Sequence, residues 1–317
     1  MKKCGLVIFA FLILPSLSYS GDKIWKKFTI ELSGGISTMN PTDLNLHAER
    51  SQKIEKFYND DFFDYRLSQN SSFAYTKTTH SDFPKIKSAY LLGFRFIYKI
   101  NERFGISFGL KGLSREFSHD VTNAWTFPYD YGNYQFRTAY SPYILSVRGY
   151  IPAIGIHFQK AIKGKLSIGG FLETGPLYGK CSIGYDYTEE WYSDEGNLIH
   201  RSSNEFLEET GEGNGYSLEA GLRISIAVGK FIPFFEGSYA FQKIKDLSGP
   251  GTERIAFLEE TWEGEWGIKQ YTLSREWGEL TYEYPSNYWE EGALTKHRDF
   301  SLDLSGFQLR LGIAYRF

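Results

Sequence analysis

Cysteine and methionine are nearly absent, at two each, and one of each lies before residue 21. The remaining Cys181 has no partner for an internal disulfide. Long apolar runs are absent beyond the N-terminus, and mean hydropathy is −0.36. A transmembrane helix needs roughly 20 apolar residues in a row, so none is expected in the mature chain. Excess charge is absent too: 35 Lys and Arg stand against 38 Asp and Glu, a net −3 that gives nucleic acid no footing. What is plentiful is aromatic and small. There are 23 Tyr, 26 Phe, 7 Trp and 32 Gly. That mixture suits an all-β protein with aromatic girdles.

The first twenty residues read as a secretory signal. Lys2 and Lys3 precede an apolar core from Leu6 to Leu14, and Ser18-Tyr19-Ser20 offers a cleavage site before Gly21. Cys4 precedes that core, which argues against a lipoprotein. The expected organisation is a signal peptide over residues 1–20 and one barrel domain over 21–317.

Eight segments alternate with the two-residue period of a strand that has one apolar face. They begin at Phe28, Tyr90 and Phe104, include Ile154 to Phe158, then run from Leu166, Tyr216, Phe231 and Phe307. Three connections are short, near Asn101-Glu102-Arg103, Ala161 to Lys165 and Gly229-Lys230. The other four are long, at roughly 50, 25, 30 and 55 residues, and short turns alternating with long loops are the outer-membrane pattern. The fold expected is a transmembrane antiparallel up-and-down β-barrel of eight strands with four long extracellular loops. A hairpin hidden in the first or last loop would make ten. Aromatics at the ends of the apolar faces form two belts. Phe28, Tyr98, Phe104, Phe158, Phe231 and Phe317 make the first, and Tyr90, Tyr178, Tyr216 and Tyr239 the second.

The opposite faces carry charge. Glu31, Arg95, Lys111, Glu173, Glu219, Arg223, Glu236 and Arg310 point inward on this reading, with His157 among them. Arg310 and Arg95 would flank Glu31, and Glu236 would lie between Arg223 and Arg310. An eight-stranded barrel is just wide enough to be filled by side chains, and unpaired buried charge is costly. A paired, plugged lumen is therefore expected, with an ion path as the alternative.

The closing strand, Phe307-Gln308-Leu309-Arg310-Leu311-Gly312-Ile313-Ala314-Tyr315-Arg316-Phe317, and the strand pattern resemble the small eight-stranded outer-membrane barrels, the OmpA/OmpX/OmpW-like group. In that group a terminal Phe after alternating apolar residues is read by the barrel assembly machinery. The resemblance implies that role for Tyr315 and Phe317. It also implies outer-membrane lipids as partners. No periplasmic peptidoglycan-binding domain is expected after the barrel.

The loops are where activity is sought. Leu44 to Tyr58 has a helical character. Six of the seven Trp fall in outside loops, with Trp125 and Trp191 in the second and third. Trp262, Trp266, Trp277 and Trp289 are the candidate recognition residues of the last loop; packing of the loops as a cap, or strands reaching above the membrane, is the alternative. Glu259, Glu260, Glu263 and Glu265 read as a solvated acidic face rather than a metal site. His297, Asp299 and Ser301 are close in sequence but share one strand face, which is not a triad. No catalytic residue, metal or cofactor is expected. The function expected is surface recognition or envelope integrity by a monomer with an extracellular ligand. The alternatives are transport of small hydrophobic solutes and an omptin-like or lipid-modifying hydrolase.

Overall fold

The computed structural model describes residues 27–70, 72–129, 132–255, 258–276, 278–286 and 295–317. The signal segment, Trp277 and Trp289 lie outside the described residues. Eight strands close a ring: β1 (Phe28–Thr38), β3 (Ser88–Lys99), β4 (Phe104–Tyr129), β5 (Gly132–Lys163), β6 (Leu166–Tyr192), β7 (Leu198–Ile226), β8 (Phe231–Ile255) and β14 (Gly306–Arg316). Every neighbour is antiparallel, and β14 pairs with both β8 and β1 to close the circle. The pairing can be followed once round from Ser37 through Gln308, Ser238, Gly221, Phe171, His157, Gly105 and Lys99. The Lys99 N–H then donates to the carbonyl of Lys27, in the approach to β1. The walk thus ends about ten residues below its start, the stagger that tilts strands in a closed barrel.

Short turns gather at one end. Gly164 and Gly229 adopt positive φ there, at 58° and 65°, where a side chain would strain the backbone. The Asn101 side chain accepts from the N–H groups of Arg103 and Phe104 at 2.8 and 2.9 Å, an Asx-type turn.

Just above this end the outward face is apolar and open. Leu32, Leu92, Phe108, Ile156, Leu172, Leu222, Leu311 and Ile313 are exposed. Aromatics bound the band. Below lie Phe104, Phe158 and Phe231; above lie Tyr90, Tyr150, Tyr178, Tyr216, Tyr239 and Phe307. A closed ring leaves no backbone group unpaired at an edge, so such a band belongs in lipid. No helix among the described residues is long and apolar enough to cross.

Above the upper belt the polarity changes sides while the two-residue period continues. Outward residues become charged pairs, as in Arg148–Glu116 at 3.1 Å and Lys180–Glu212 at 2.9 Å. Inward residues become apolar: Leu113, Leu145, Val147, Leu177, Cys181, Ile183 and Ile244 form one buried core. The second and third connections expected as long loops are therefore mostly strand. Strands β4 to β8 run 26, 32, 27, 29 and 25 residues, well beyond the apolar band. Period-2 patterning whose apolar face points inward looks like loop to a reader following only the lipid face.

Strands β14, β1 and β3 are short, so the upper wall is incomplete on their side. The first and last connections fill it. Helix α1 (Thr42–Glu55) continues through a π-helical turn (Lys56–Asp61) into α2 (Phe62–Gln69), extending the helix expected near Leu44 to Tyr58. Leu44, His47, Ala48, Ser51 and Glu55 form its buried face at helical spacing. Strand β2 (Thr76–Thr79) follows and pairs with β4. The last connection holds β9 (Leu258–Glu265), β10 (Gly267–Arg275), β11 (Gly278–Ser286), β12 (Thr295–Asp299) and β13 (Ser301–Asp303). There β10, β11 and β12 form a small separate sheet.

Candidate functional site

Within the membrane-level lumen the eight charged residues named from the sequence meet in one cluster. Arg95 reaches Glu31 at 2.8 Å, Glu236 at 2.9 Å and Glu173 at 2.7 Å. Arg223 joins Glu31 at 2.6 Å and Glu236 at 3.5 Å. Lys111 bridges Glu173 and Glu219, and Arg310 pairs with Glu219 and lies 3.4 Å from Glu236. Ser107 and His157 add contacts to Glu173 at 3.0 and 3.1 Å, and Ser238 donates to Glu219 at 2.6 Å. Room for these long side chains comes from glycines opposite them. A Cβ on Gly35 would lie 2.9 Å from Arg310 Cγ, and one on Gly155 would lie 2.4 Å from Glu173 Cγ. One pairing differs from expectation. Arg310 sits across from Gly35, four positions above Glu31, and turns to Glu219 and Glu236 instead. The stagger of the ring separates residues that equal counts along two strands would place level. A pocket at the short-turn end, touching Glu31, Arg223 and His157, holds ≈ 40 Å³ of free space. That admits a few waters.

The ladder is interrupted once within the band. Pairing of β5 with β6 stops at Tyr150–Tyr178 and resumes at Ile154–Thr174, around Pro152 and Pro176, which lack the N–H a ladder needs. No opening follows. A Cβ on Gly175 would fall 1.9 Å from the Pro152 carbonyl oxygen, and Ile151 and Leu177 behind it are buried.

The larger space lies above the membrane. A cleft of ≈ 510 Å³ opens between the α1–α2 plug and the inner faces of β5, β6 and β7. Its walls include Phe136, Tyr140, Tyr185, Tyr187 and Trp191, with Glu55, Glu189, Glu205 and Arg50 as charged groups. Phe62, Phe63 and Trp191 also line a neighbouring apolar cleft of ≈ 400 Å³. Glu55 is buried at the end of α1. Its Oε2 accepts from Thr138 at 2.9 Å, Asn59 at 3.1 Å and Asn123 at 3.4 Å. Burial pushes its carboxyl up to about 7, and these hydrogen bonds only partly offset that. The Tyr185 and Tyr187 hydroxyls donate to Glu205 at 2.5 Å and Glu189 at 2.7 Å. Two turns before Glu55, His47 Nδ1 meets the Tyr143 hydroxyl at 2.8 Å. Burial and the nearby Arg50 hold the imidazole well below its usual range, so it stays neutral.

The plug is anchored at both ends. Asp43 accepts two bonds from Arg298, at 2.7 and 2.8 Å, and one from the Ser301 N–H at 2.8 Å. Asn45 exchanges bonds with the Ile86 backbone at 2.8 and 2.9 Å. At the far end Asp60 accepts from Trp125 Nε1 at 2.8 Å and Lys77 at 3.0 Å.

The described tryptophans of the last connection pack inward, as the reading of the loops as a cap has it. Trp266 is 2% exposed, packed beside Phe300 at 5.2 Å with its Nε1 on the Thr210 carbonyl. It is a core residue, because the last connection folds over the barrel mouth. Trp262 is half-buried against the same core, and Trp125 is fully buried under α2. Glu259 pairs with Arg254 at 3.0 Å across the β8–β9 hairpin. The cleft residues were missed because they lie in segments read as loop. The signal was present: Cys181, Ile183, Tyr185 and Tyr187 keep a strict period of two.

A closed ring, an apolar band between aromatic belts and short turns at one end decide the class. This is an outer-membrane β-barrel. Among solved structures the chain is similar to Ail, the attachment invasion locus protein of Yersinia pestis, seen in complex with the heparin analogue sucrose octasulfate. Identity is 12% and the TM-score 0.32, over 92% of this chain and 99% of that one. It is similar to a major outer membrane protein from Thermus thermophilus, with 11% identity, a TM-score of 0.34 and coverage of 92% and 98%. It is also similar to the outer membrane protein OprG from Pseudomonas aeruginosa, with 9% identity, a TM-score of 0.30 and coverage of 91% and 95%. No protein-family model matches the chain, and no curated protein matches it.

Proposed function

We propose that this barrel is a closed outer-membrane anchor that acts in surface recognition through the cleft above the membrane. The contrast of spaces carries the reading: ≈ 40 Å³ in the pocket below the lumen charges, at the short-turn end, against ≈ 510 Å³ at the outward end. Clefts of about 300–1,000 Å³ with aromatic walls and a few polar groups suit ligands. Solute transport would have to pass the paired side chains that occupy the membrane level, and the proline gap between β5 and β6 leads to packed side chains. Export by the leader over residues 1–20, assembly through Tyr315 and Phe317, and action as a monomer complete the proposal. Tyr315 and Phe317 pack edge-on at 5.2 Å at the end of the closing strand, and Phe317 is exposed to an incoming partner.

The test pairs two measurements on purified protein in lipid nanodiscs and liposomes. One is binding to a printed array of glycans, peptides and amines. The other is swelling of liposomes in arabinose. The expected result is array binding that falls in Trp191→Ala, with no swelling. Swelling without array binding would overturn the proposal.

A further inference from the structure

Resting on the recognition reading, we infer that the cleft above the membrane takes a small organic cation, a quaternary ammonium or an amine. The first observation is charge. Glu55, Glu189 and Glu205 line the cleft against a single guanidinium, Arg50. That guanidinium is already hydrogen-bonded to Tyr185 and Tyr282 and lies 5.7 Å from the Tyr282 ring centre. The second is the setting of Glu55. It is 5% exposed, and its hydrogen-bond donors are the neutral groups of Asn59, Asn123, Thr138 and Tyr140. Neutral donors orient a carboxylate without balancing its charge.

The two classes of occupant differ in what they do to these carboxylates. A neutral ligand filling the cleft removes water from them and supplies no counter-charge, which costs free energy. A cation supplies that charge. The walls favour it as well, because the faces of Tyr and Trp attract cations, most strongly when water is excluded. Tyr140 and Tyr187 pack ring against ring at 4.7 Å, and Phe136 packs on Trp191 at 4.9 Å, so the aromatic wall is built before any ligand arrives.

The experiment is calorimetric titration of the full chain in nanodiscs at pH 8, where Glu55 is ionised. Tetramethylammonium, choline and spermidine are the cations. The comparison compounds are 3,3-dimethyl-1-butanol, the uncharged shape-mate of choline, and N-acetylglucosamine. At least one cation is expected to bind, and choline about tenfold more tightly than its uncharged shape-mate. Glu55→Gln should weaken cation binding about tenfold and leave the alcohol unchanged. Glu205→Gln provides a second variant should Glu55→Gln fail to show the band shift of a folded barrel. The inference falls if no cation binds at about 10 mM, if the alcohol matches choline, or if folded carboxamide variants bind cations as well as the parent. Binding of N-acetylglucosamine alone sinks the cation and leaves recognition standing. Swelling of liposomes with no binding sinks both.

Discussion

Glu55 and Glu236 are both buried carboxylates, and they keep different company: neutral donors around the first, guanidinium groups around the second. Glu55 faces neutral donors, with Arg50 on its own helix, Tyr140 from β5, Tyr187 and Glu189 from β6 and Glu205 from β7 about it. Its carboxyl rises from 4.5 to about 7, so the docked plug holds a proton more tightly than the released one. The resulting stabilisation is fully present below pH ~4.5 and is lost as the pH climbs through ~7, an effect of roughly 3 kcal/mol at most. Hydrogen exchange in α1 should therefore quicken between pH 5 and pH 8 beyond the intrinsic rate. Glu55→Gln should flatten that rise, and a slope unchanged by the substitution would refute the assignment. Glu236, by contrast, lies at 0% exposure among Arg95, Arg223 and Arg310. Removing it strands buried guanidinium charge without its carboxylate partner. Glu236→Ala should cost on the order of 3–5 kcal/mol, read as a lower urea midpoint for loss of the folded-barrel band, while planar-bilayer conductance stays at baseline. A clear conductance rise would show that the cluster is a gate and not a filling.

Elements here answer to two solvents, and that explains where sequence reading succeeds. Between the belts, lipid outside and charge inside make alternation stark, so strands such as Phe307 to Phe317 are visible in the sequence and the charged residues that meet in the lumen are named by it. Above the belts the same strands continue with their apolar face turned inward onto α1. Tyr185, Tyr187 and Trp191 then look like loop aromatics, and Trp266 looks like a surface anchor, because local pattern does not reveal which connection folds in to cover them. The plug itself depends on such distant contacts. Asn45 satisfies both the N–H and the carbonyl of Ile86, 41 residues away. Asn45→Ala should leave those two buried groups unpaired at about 1–3 kcal/mol. Limited proteolysis should then cut within 42–69 faster, while the folded-barrel band shift is kept. Loss of the band shift would mean that the plug and the barrel fold as one unit.

At the scale of the whole molecule, the plug and the charge cluster lie in series along one axis. The plug fills the upper barrel, where Leu44 and Ala48 meet Tyr143, Ile183 and Ile244 in one core. The cluster fills the level of the lipid band below it, held by ladders of β1, β3 to β8 and β14 that run from Phe28 to Tyr315 without help from α1. Two barriers in series conduct only when both are open. Replacing residues 42–69 by a Gly-Ser linker should thus expose the upper core yet leave conductance at baseline, because Arg95, Lys111 and their carboxylates still fill the lower lumen. Combining that replacement with Glu236→Ala and Arg95→Ala removes both obstructions. Steady ion current in planar bilayers is expected from the combination alone. Current from the plug replacement by itself would mean that the charge cluster is permeable, and the closed-anchor reading would have to give way to a channel gated by α1.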